Sequence, residues 1–173
     1  MRMAPNEVLQ MKTYRLLVVS DVHGRLAPLR WILKQETADA MFFLGDGLFD
    51  LDGAVNLLRD PLPYPVYRVR GNCDVGFPDP LEGLVPVGGV LFFYTHGHNY
   101  FVKSSYEELT QAARNRGADV ALFGHSHHRS LVYNGIPDTP TLFNPGSLRD
   151  EGIYGVITVE DGRCSFEWKV VPC

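Results

Sequence analysis

Five apolar runs along the chain end in the same way. Leu16-Leu17-Val18-Val19-Ser20 gives way to Asp21-Val22-His23, and Met41-Phe42-Phe43-Leu44 to Gly45-Asp46. Val66-Tyr67-Arg68-Val69-Arg70 leads into Gly71-Asn72, Val90 to Thr95 into His96-Gly97-His98, and Val120-Ala121-Leu122-Phe123 into Gly124-His125-Ser126-His127-His128. Short apolar runs bounded by turn residues predict buried strands. Every one of these strands would deliver a polar, ligand-type side chain at its carboxyl end, the edge where open α/β sheets bind ligands.

Between the first three strands, expected at about Tyr14 to Ser20, Met41 to Leu44 and Val66 to Val69, the pattern turns helical. Pro28 opens a helix through about Glu36, with Leu29, Ile32 and Leu33 on one face. A second helix is expected near Gly53 to Arg59, where Asp60-Pro61 ends it. This alternation implies parallel strands joined by right-handed crossovers. Past the Val75 to Gly83 loop the grammar changes. Leu84 to Val87 and Val90 to Thr95 flank Gly88-Gly89, a hairpin signal. Ser104 to Arg116 is an amphipathic helix closed by Gly117. Ser130 to Tyr133 and Thr141 to Phe143 are strands around Asn134-Gly135, and Gly155 to Glu160 pairs with Arg163 to Val171 across Asp161-Gly162. The second half is therefore expected to add an antiparallel sheet. The economical architecture is α/β (α+β in some schemes): a two-sheet β-sandwich flanked by helices.

A chain of 173 residues fits one domain, taken as residues 12–173 behind a tail of residues 1–11, in which Met11 is an alternative start. A hydrophobic share of 45% and a charged share of 21% are globular values. The net charge of −4 and the lack of a basic block argue against duplex nucleic acid as a partner. No apolar run approaches the ~20 residues of a membrane span, and the N-terminus has no signal-peptide core. Three widely spaced cysteines, Cys73, Cys164 and Cys173, suggest no disulfide framework and fit a reducing, cytoplasmic setting. The sequence leaves a homo-oligomer open.

All six histidines fall in three of the strand-end stretches. Taken singly, each polar residue has a plainer reading. Asp21 and Asp46 are the kind of residue that caps or turns a chain, and Asn72 after Gly71 suits a turn. Together, Asp21, His23, Asp46, Asn72, His96, His125 and His127 form an oxygen-and-nitrogen donor set too large for one tetrahedral ion and suited to two adjacent divalent ions. Mn²⁺ stands first, with Fe²⁺, Zn²⁺, Ni²⁺ or Co²⁺ as alternatives; the set is too rich in imidazole for Ca²⁺ or Mg²⁺ alone. Two carboxylates and two divalent ions sum to +2, which attracts a phosphate ester despite the negative chain. His98 is either an orienting neighbour or a bystander, His128 a solvated neighbour, and Arg25 a surface residue or a phosphate contact. Cys73 is a site-lining thiol or a small buried hydrophobe.

The motif order DxH (Asp21, His23), GD (Asp46), GN (Asn72), H (His96) and GHxH (His125, His127) resembles the calcineurin-like metallophosphoesterase superfamily, over nearly the whole chain. The Gly71-Asn72-Cys73-Asp74 form looks most like its small single-domain bacterial and archaeal phosphodiesterases. The resemblance implies a two-sheet sandwich with a two-metal site at the strand ends and a phosphate-ester substrate. It implies one metal on Asp21, His23, Asp46 and His127, and the other on Asp46, Asn72, His96 and His125. Asp46 would bridge with its two oxygens, and a bridging hydroxide would attack phosphorus. Larger relatives carry His after the Asn, where it protonates the leaving group. Here Cys73 stands there, so His98 becomes the candidate assistant beside Asp46. Alternatives are a protein-binding scaffold on the same fold and a phosphomonoesterase or nucleotide hydrolase.

Overall fold

The computed structural model of the chain describes residues 11–133 and 135–172. Its elements run β1 (Tyr14–Val19), α1 (Leu26–Gln35), β2 (Ala40–Phe43), α2 (Leu48–Asn56), β3 (Val66–Arg68), β4 (Glu82–Val87) and β5 (Val90–Thr95). There follow a short 3₁₀ turn at His98–Tyr100, α3 (Glu107–Asn115), β6 (Val120–Leu122), β7 (Ser130–Val132), β8 (Thr141–Asn144), α4 (Leu148–Glu151), β9 (Ile153–Glu160) and β10 (Arg163–Val170). Two five-stranded sheets form, ordered β10-β9-β1-β2-β3 and β4-β5-β6-β8-β7.

The period of two along each central strand divides the core into three layers. Leu16 and Val18 of β1, with Phe42 of β2, face the other sheet and meet Phe92, Leu122 and Phe143. Leu17, Val19, Met41 and Phe43 point the opposite way, under Leu29, Ile32 and Leu33 of α1 and Leu48, Leu51 and Ala54 of α2. On the far side, Phe93, Ala121 and Leu142 pack beneath Leu109 and Ala113 of α3. Strands covered on both faces read as unbroken apolar runs, which is why the sequence displays them so clearly.

The parallel β1-β2-β3 half follows the expected pairing. The second half departs from it. Its sheet is mixed: β5-β6 and β6-β8 are parallel, while β4-β5 and β7-β8 are antiparallel. The C-terminal hairpin joins the first sheet, with β9 antiparallel to β1. Turn signals report which neighbours pair locally, not which sheet edge a hairpin finds. The β7-β8 connection spans residues 133–140 and is not a two-residue turn; Asn134 lies outside the described residues, as does the expected tail apart from Met11.

Helix α2 starts at Leu48, five residues before the sequence-based start at Gly53, because its cap is not local. Asp74 Oδ1 accepts the N–H groups of Gly47 (2.9 Å) and Leu48 (3.0 Å), satisfying helix-start donors from 26 or more residues away. Helix α3 starts later than Ser104, because the N–H groups of Ser104 and Ser105 both donate to Phe101 O. Helix α4 was not expected; Ser147 caps it, accepting from Asp150 N–H at 3.1 Å.

One polar clamp ties α1 to the first sheet. Glu36 accepts from Tyr154 Oη (2.6 Å) and Arg15 Nη2 (2.6 Å), with Lys169 Nζ 3.5 Å away. Burial pushes its carboxyl up, but Tyr154 and Arg15 outweigh burial and hold it below the usual glutamate range. A depressed folded pKa means stabilisation that is full above the unfolded value and lost as pH falls through the folded one. Glu36→Gln should therefore lower stability by roughly 1.5–3 kcal/mol at pH 7. Urea midpoints should show that gap closing as the pH is taken below 4. A gap independent of pH would mean that Glu36 acts by packing alone.

Candidate metal centre

The carboxyl ends of β1, β2, β3, β5 and β6 meet along one edge, where the two sheets approach. Hydrogen bonds join neighbouring loops within each sheet. Asp21 N–H donates to Gly45 O (3.1 Å), Val22 N–H to Asp46 O (3.0 Å) and Gly124 N–H to His96 O (2.9 Å). Behind β1, Leu148 N–H and Arg149 N–H donate to Ser20 O and Asp21 O. The approach demands glycine at specific points. A Cβ on Gly71 would lie 2.0 Å from Asp46 Oδ1, and one on Gly124 would lie 2.0 Å from Ser20 Oγ. Hence the glycine before Asn72 and the glycine before His125.

The seven sequence-predicted donors converge there. His127 Nε2 lies 3.3 Å from both His23 Nε2 and Asp21 Oδ1. His23 Nε2 is 3.6 Å from Asp21 Oδ1 and from Asp46 Oδ2. His96 Nε2 is 3.2 Å from Asp46 Oδ2 and 3.1 Å from Asn72 Oδ1. Ligand atoms of Asp46, His96 and His125 all lie within 4.8 Å of one another. Two donors each about 2.0–2.1 Å from one ion, at ordinary coordination angles, stand about 3.0–3.4 Å apart. The pairs at 3.1–3.3 Å fall in that range, and those at 3.6 Å lie just beyond it.

The direction of the lone pairs makes the same demand. His96 Nδ1–H donates to Leu44 O (2.6 Å), and His127 Nδ1–H to Asp150 Oδ2 (2.6 Å). In a neutral ring each Nε2 then aims a lone pair at a carboxylate oxygen. Asp21 Oδ2 is satisfied by Ser20 Oγ–H (2.8 Å) and His125 N–H (3.1 Å), but Asp21 Oδ1 is fully buried without a hydrogen-bond partner. Something positive belongs between these atoms. Without a metal ion, protons take that part. Asp21, then Asp150, raise His127 to about 9, and Asp46 and Asp21 raise His96 against the opposing effect of burial. Burial pushes Asp21 up, yet His127, His23 and His96 hold it far below the usual range. Burial, then His96 and Lys103, push His125 down to about 4, which leaves it a neutral donor. The residues present fit divalent ions.

Asp46 Oδ1 accepts the Cys73 N–H (2.8 Å), and its Oδ2 faces both donor groups. Cys73 is exposed, not buried, and its sulfur lies among the His23 and Asp46 ligand atoms. Partial burial, then the Asp46 charge, push the thiol up, so it is neutral at pH 7. His98 packs on His96 and His125, with ring centroids 5.4 and 6.0 Å apart, and its buried Nδ1 has no hydrogen-bond partner. His128 is exposed and outside the cluster. Arg25 is exposed, and its Nη1 donates to Arg149 O (2.5 Å).

Three further residues hold the site together: Asp74 and Asp150, which sequence reasoning missed, and Asn144, whose Asn144-Pro145-Gly146-Ser147 stretch reads as a turn in sequence alone and as site-lining by family resemblance. Asp74 accepts from the N–H groups of Asp46 (2.7 Å), Gly47, Leu48 and Gly71 (2.8 Å), clipping the β2 and β3 loops together. Asp150 orients His127. Asn144 donates to Gly124 O (3.1 Å) and Ser126 Oγ (3.0 Å), bracing the histidine loop. The only signal for Asp74 was its place two residues after Asn72; its targets are distant in sequence.

A β-sandwich under helices, with carboxylates and imidazoles gathered at converging strand ends, is the architecture of a metallophosphoesterase. A family profile described as the calcineurin-like phosphoesterase superfamily domain matches residues 14–162, and the chain belongs to that superfamily. A Bacillus subtilis protein named probable metallophosphoesterase YsnB is 31% identical over 153 residues, covering 84% of this chain and 85% of its own length. Two solved structures share the fold. A Streptococcus pneumoniae protein described as a predicted phosphoesterase superposes with TM-score 0.75 at 24% identity, over 92% of this chain and 91% of its own. Vacuolar Protein Sorting 29 from Cryptosporidium parvum gives 0.69 at 15% identity, over 91% and 97%.

Asp74→Ala should strand four backbone donors that point into a buried space. Each costs about 1–3 kcal/mol unsatisfied, and relaxation recovers part, so a loss of roughly 3–5 kcal/mol is expected by chemical denaturation. Asp74→Asn, which keeps one acceptor oxygen, should lose less. Equal stability of Asp74→Ala and wild type would remove Asp74 from its role as a clip.

Proposed function

We propose that the chain is a phosphodiesterase that works with two divalent metal ions, one held by Asp21, His23, Asp46 and His127 and the other by Asp46, Asn72, His96 and His125. One observation carries the reading: Asp46 Oδ2 stands 3.2 Å from His96 Nε2 and 3.6 Å from His23 Nε2, between the two donor groups. When bound, the ions would polarise the phosphoryl oxygen and lower the pKa of a water toward neutrality. We take Mn²⁺ first; Fe²⁺, Zn²⁺, Co²⁺ and Ni²⁺ also suit the mixed carboxylate, amide and imidazole donors.

The protein's own groups supply orientation and proton control. Leu44 O and Asp150 fix the His96 and His127 rings, so that Nε2 of each faces the centre. Asn72 contributes a neutral oxygen, which keeps the centre more strongly Lewis-acidic than a third carboxylate would. Burial, then His96, hold His98 below its ordinary pKa, so it enters the site neutral and offers an N–H to a substrate oxygen, not an acidic proton. The neutral Cys73 thiol is a weak acid for a basic leaving group. Diesters with good leaving groups fit this site better than monoesters or poor leaving groups. Loss of metal ligands would favour the scaffold reading, and all seven donors are present here.

The test is a screen of protein loaded separately with Mn²⁺, Fe²⁺, Zn²⁺, Co²⁺ or Ni²⁺ against aryl phosphodiesters, phosphomonoesters, cyclic nucleotides and dinucleoside polyphosphates. Aryl diesters should be turned over fastest; faster monoester hydrolysis would favour the phosphomonoesterase reading. Asp46→Asn should lower diesterase activity by about 10³-fold or more while circular dichroism stays native, since it removes the charge facing both donor groups. Near-normal turnover in a folded, metal-loaded mutant would contradict the role given to Asp46.

Cys73→His tests the proton supply. An imidazole with an ordinary pKa of about 6.5 matches working pH, and a placed general acid gives ~10²–10⁴-fold. A smaller gain is expected here, and it should grow as the leaving group becomes more basic. Rate ratios that stay flat across diesters of graded leaving-group pKa, at equal metal content, would show that position 73 cannot protonate the leaving oxygen.

A further inference from the structure

We propose that Phe49, Val75 and Phe101 form an apolar rim beside the metal centre that seats an aromatic group of the phosphoester. The inference rests on the phosphodiesterase reading and names the kind of ester it takes. The three side chains are 79%, 88% and 68% exposed. Single exposed apolar residues are common and need no explanation. These three differ in where they stand. Phe49 follows Asp46 by three residues, Val75 follows Asn72 by three, and Phe101 follows His98 by three.

The backbone holds them close to the centre. Phe49 follows Leu48, whose N–H donates to Asp74, and Val75 follows Asp74 itself. The two residues thus flank the two ends of one 3.0 Å hydrogen bond. Phe101 N–H donates to His98 O (3.4 Å), and His98 packs on His96 and His125.

Phe101 is the most telling of the three. Its φ is +52°, a conformation that bulky residues rarely adopt and that Asn accepts more readily. Ser104 and Ser105 N–H groups, both donating to Phe101 O, lock the turn. A phenylalanine that is strained and also exposed gains nothing from the folded core. Strain of this kind gathers at functional sites. Charged groups gather at the His127 end of the centre, where Arg25 and Arg149 stand beside His127 and Asp150. A phosphoester bound at the centre must place its organic group within a few bonds of phosphorus. That group is the occupant that the rim fits.

The test measures binding, not turnover. Calorimetry on the Mn²⁺-loaded full chain compares phenylphosphonate with methylphosphonate, neither of which has an ester to hydrolyse. Wild type should prefer the phenyl compound by about tenfold, the effect of covering some 60 Å² of apolar surface. Phe101→Asn and Phe49→Ser should each lower the ratio, and the double variant should bring it near one. Phe101→Leu should retain most of it. Phe101→Asn should also melt no lower than wild type, since it relieves strain; a lower melting temperature would make Phe101 a packing residue and overturn the rim. A ratio near one in wild type, or one that survives both substitutions, would overturn the rim and leave the phosphodiesterase reading standing. Failure of both phosphonates to bind the loaded protein would overturn that reading, and the rim with it.

Discussion

Oxygen and nitrogen lone pairs face one another at 3.1 to 3.6 Å along the edge where the two sheets meet. Such an arrangement repels itself unless positive charge lies within it. The sheets bring the five strand ends together, and the packing of their three apolar layers sustains the arrangement. The rest of the edge is built to tolerate that repulsion. Asp74 gathers four N–H groups from two loops, Ser147 and Asn144 brace two more, and Leu44 O and Asp150 set the two rings that matter most.

The backbone carries part of the burden. Asp21, His23, Asp46, His125 and His127 all have φ between +42° and +64°. Asp and His reach this region more often than most residues, so each sits near the low end, about 1 kcal/mol, of the usual strain range. A left-handed residue reverses the chain just past a strand and turns its side chain back over the strand end. The strain therefore does geometric work. It turns the donors that leave β1, β2 and β6 into one inward-facing cluster, and cations binding there would recover the energy.

Much of this was legible in the chain. Central strands covered on both faces must be apolar throughout, so β1, β2, β5 and β6 stood out, and the donors after them could be read as a set. Glycine at 71 and 124 has its reason in the fold, where a Cβ would strike Asp46 or Ser20. What could not be read was non-local. The cap of α2 comes from Asp74, so the helix start was misplaced. The sheet joined by β9 and β10 depends on an open edge of β1, which no local pattern encodes. The occupation of Asp46 Oδ1 comes from a hydrogen bond with Cys73 N–H that only the folded loops create. The exposed thiol of Cys73 follows from the same contact.

Metal binding followed together with stability tests this account most directly. Equilibrium dialysis of the chelator-stripped chain against Mn²⁺ should reach two ions per chain. Thermal unfolding should move upward with the free ion. At 100 times the dissociation constant, one site adds about 2.7 kcal/mol, roughly 5–10 °C for a chain of this size. Uptake that stops at one ion, or two ions bound with no change in melting temperature, would contradict the claim that cations relieve the clustered lone pairs.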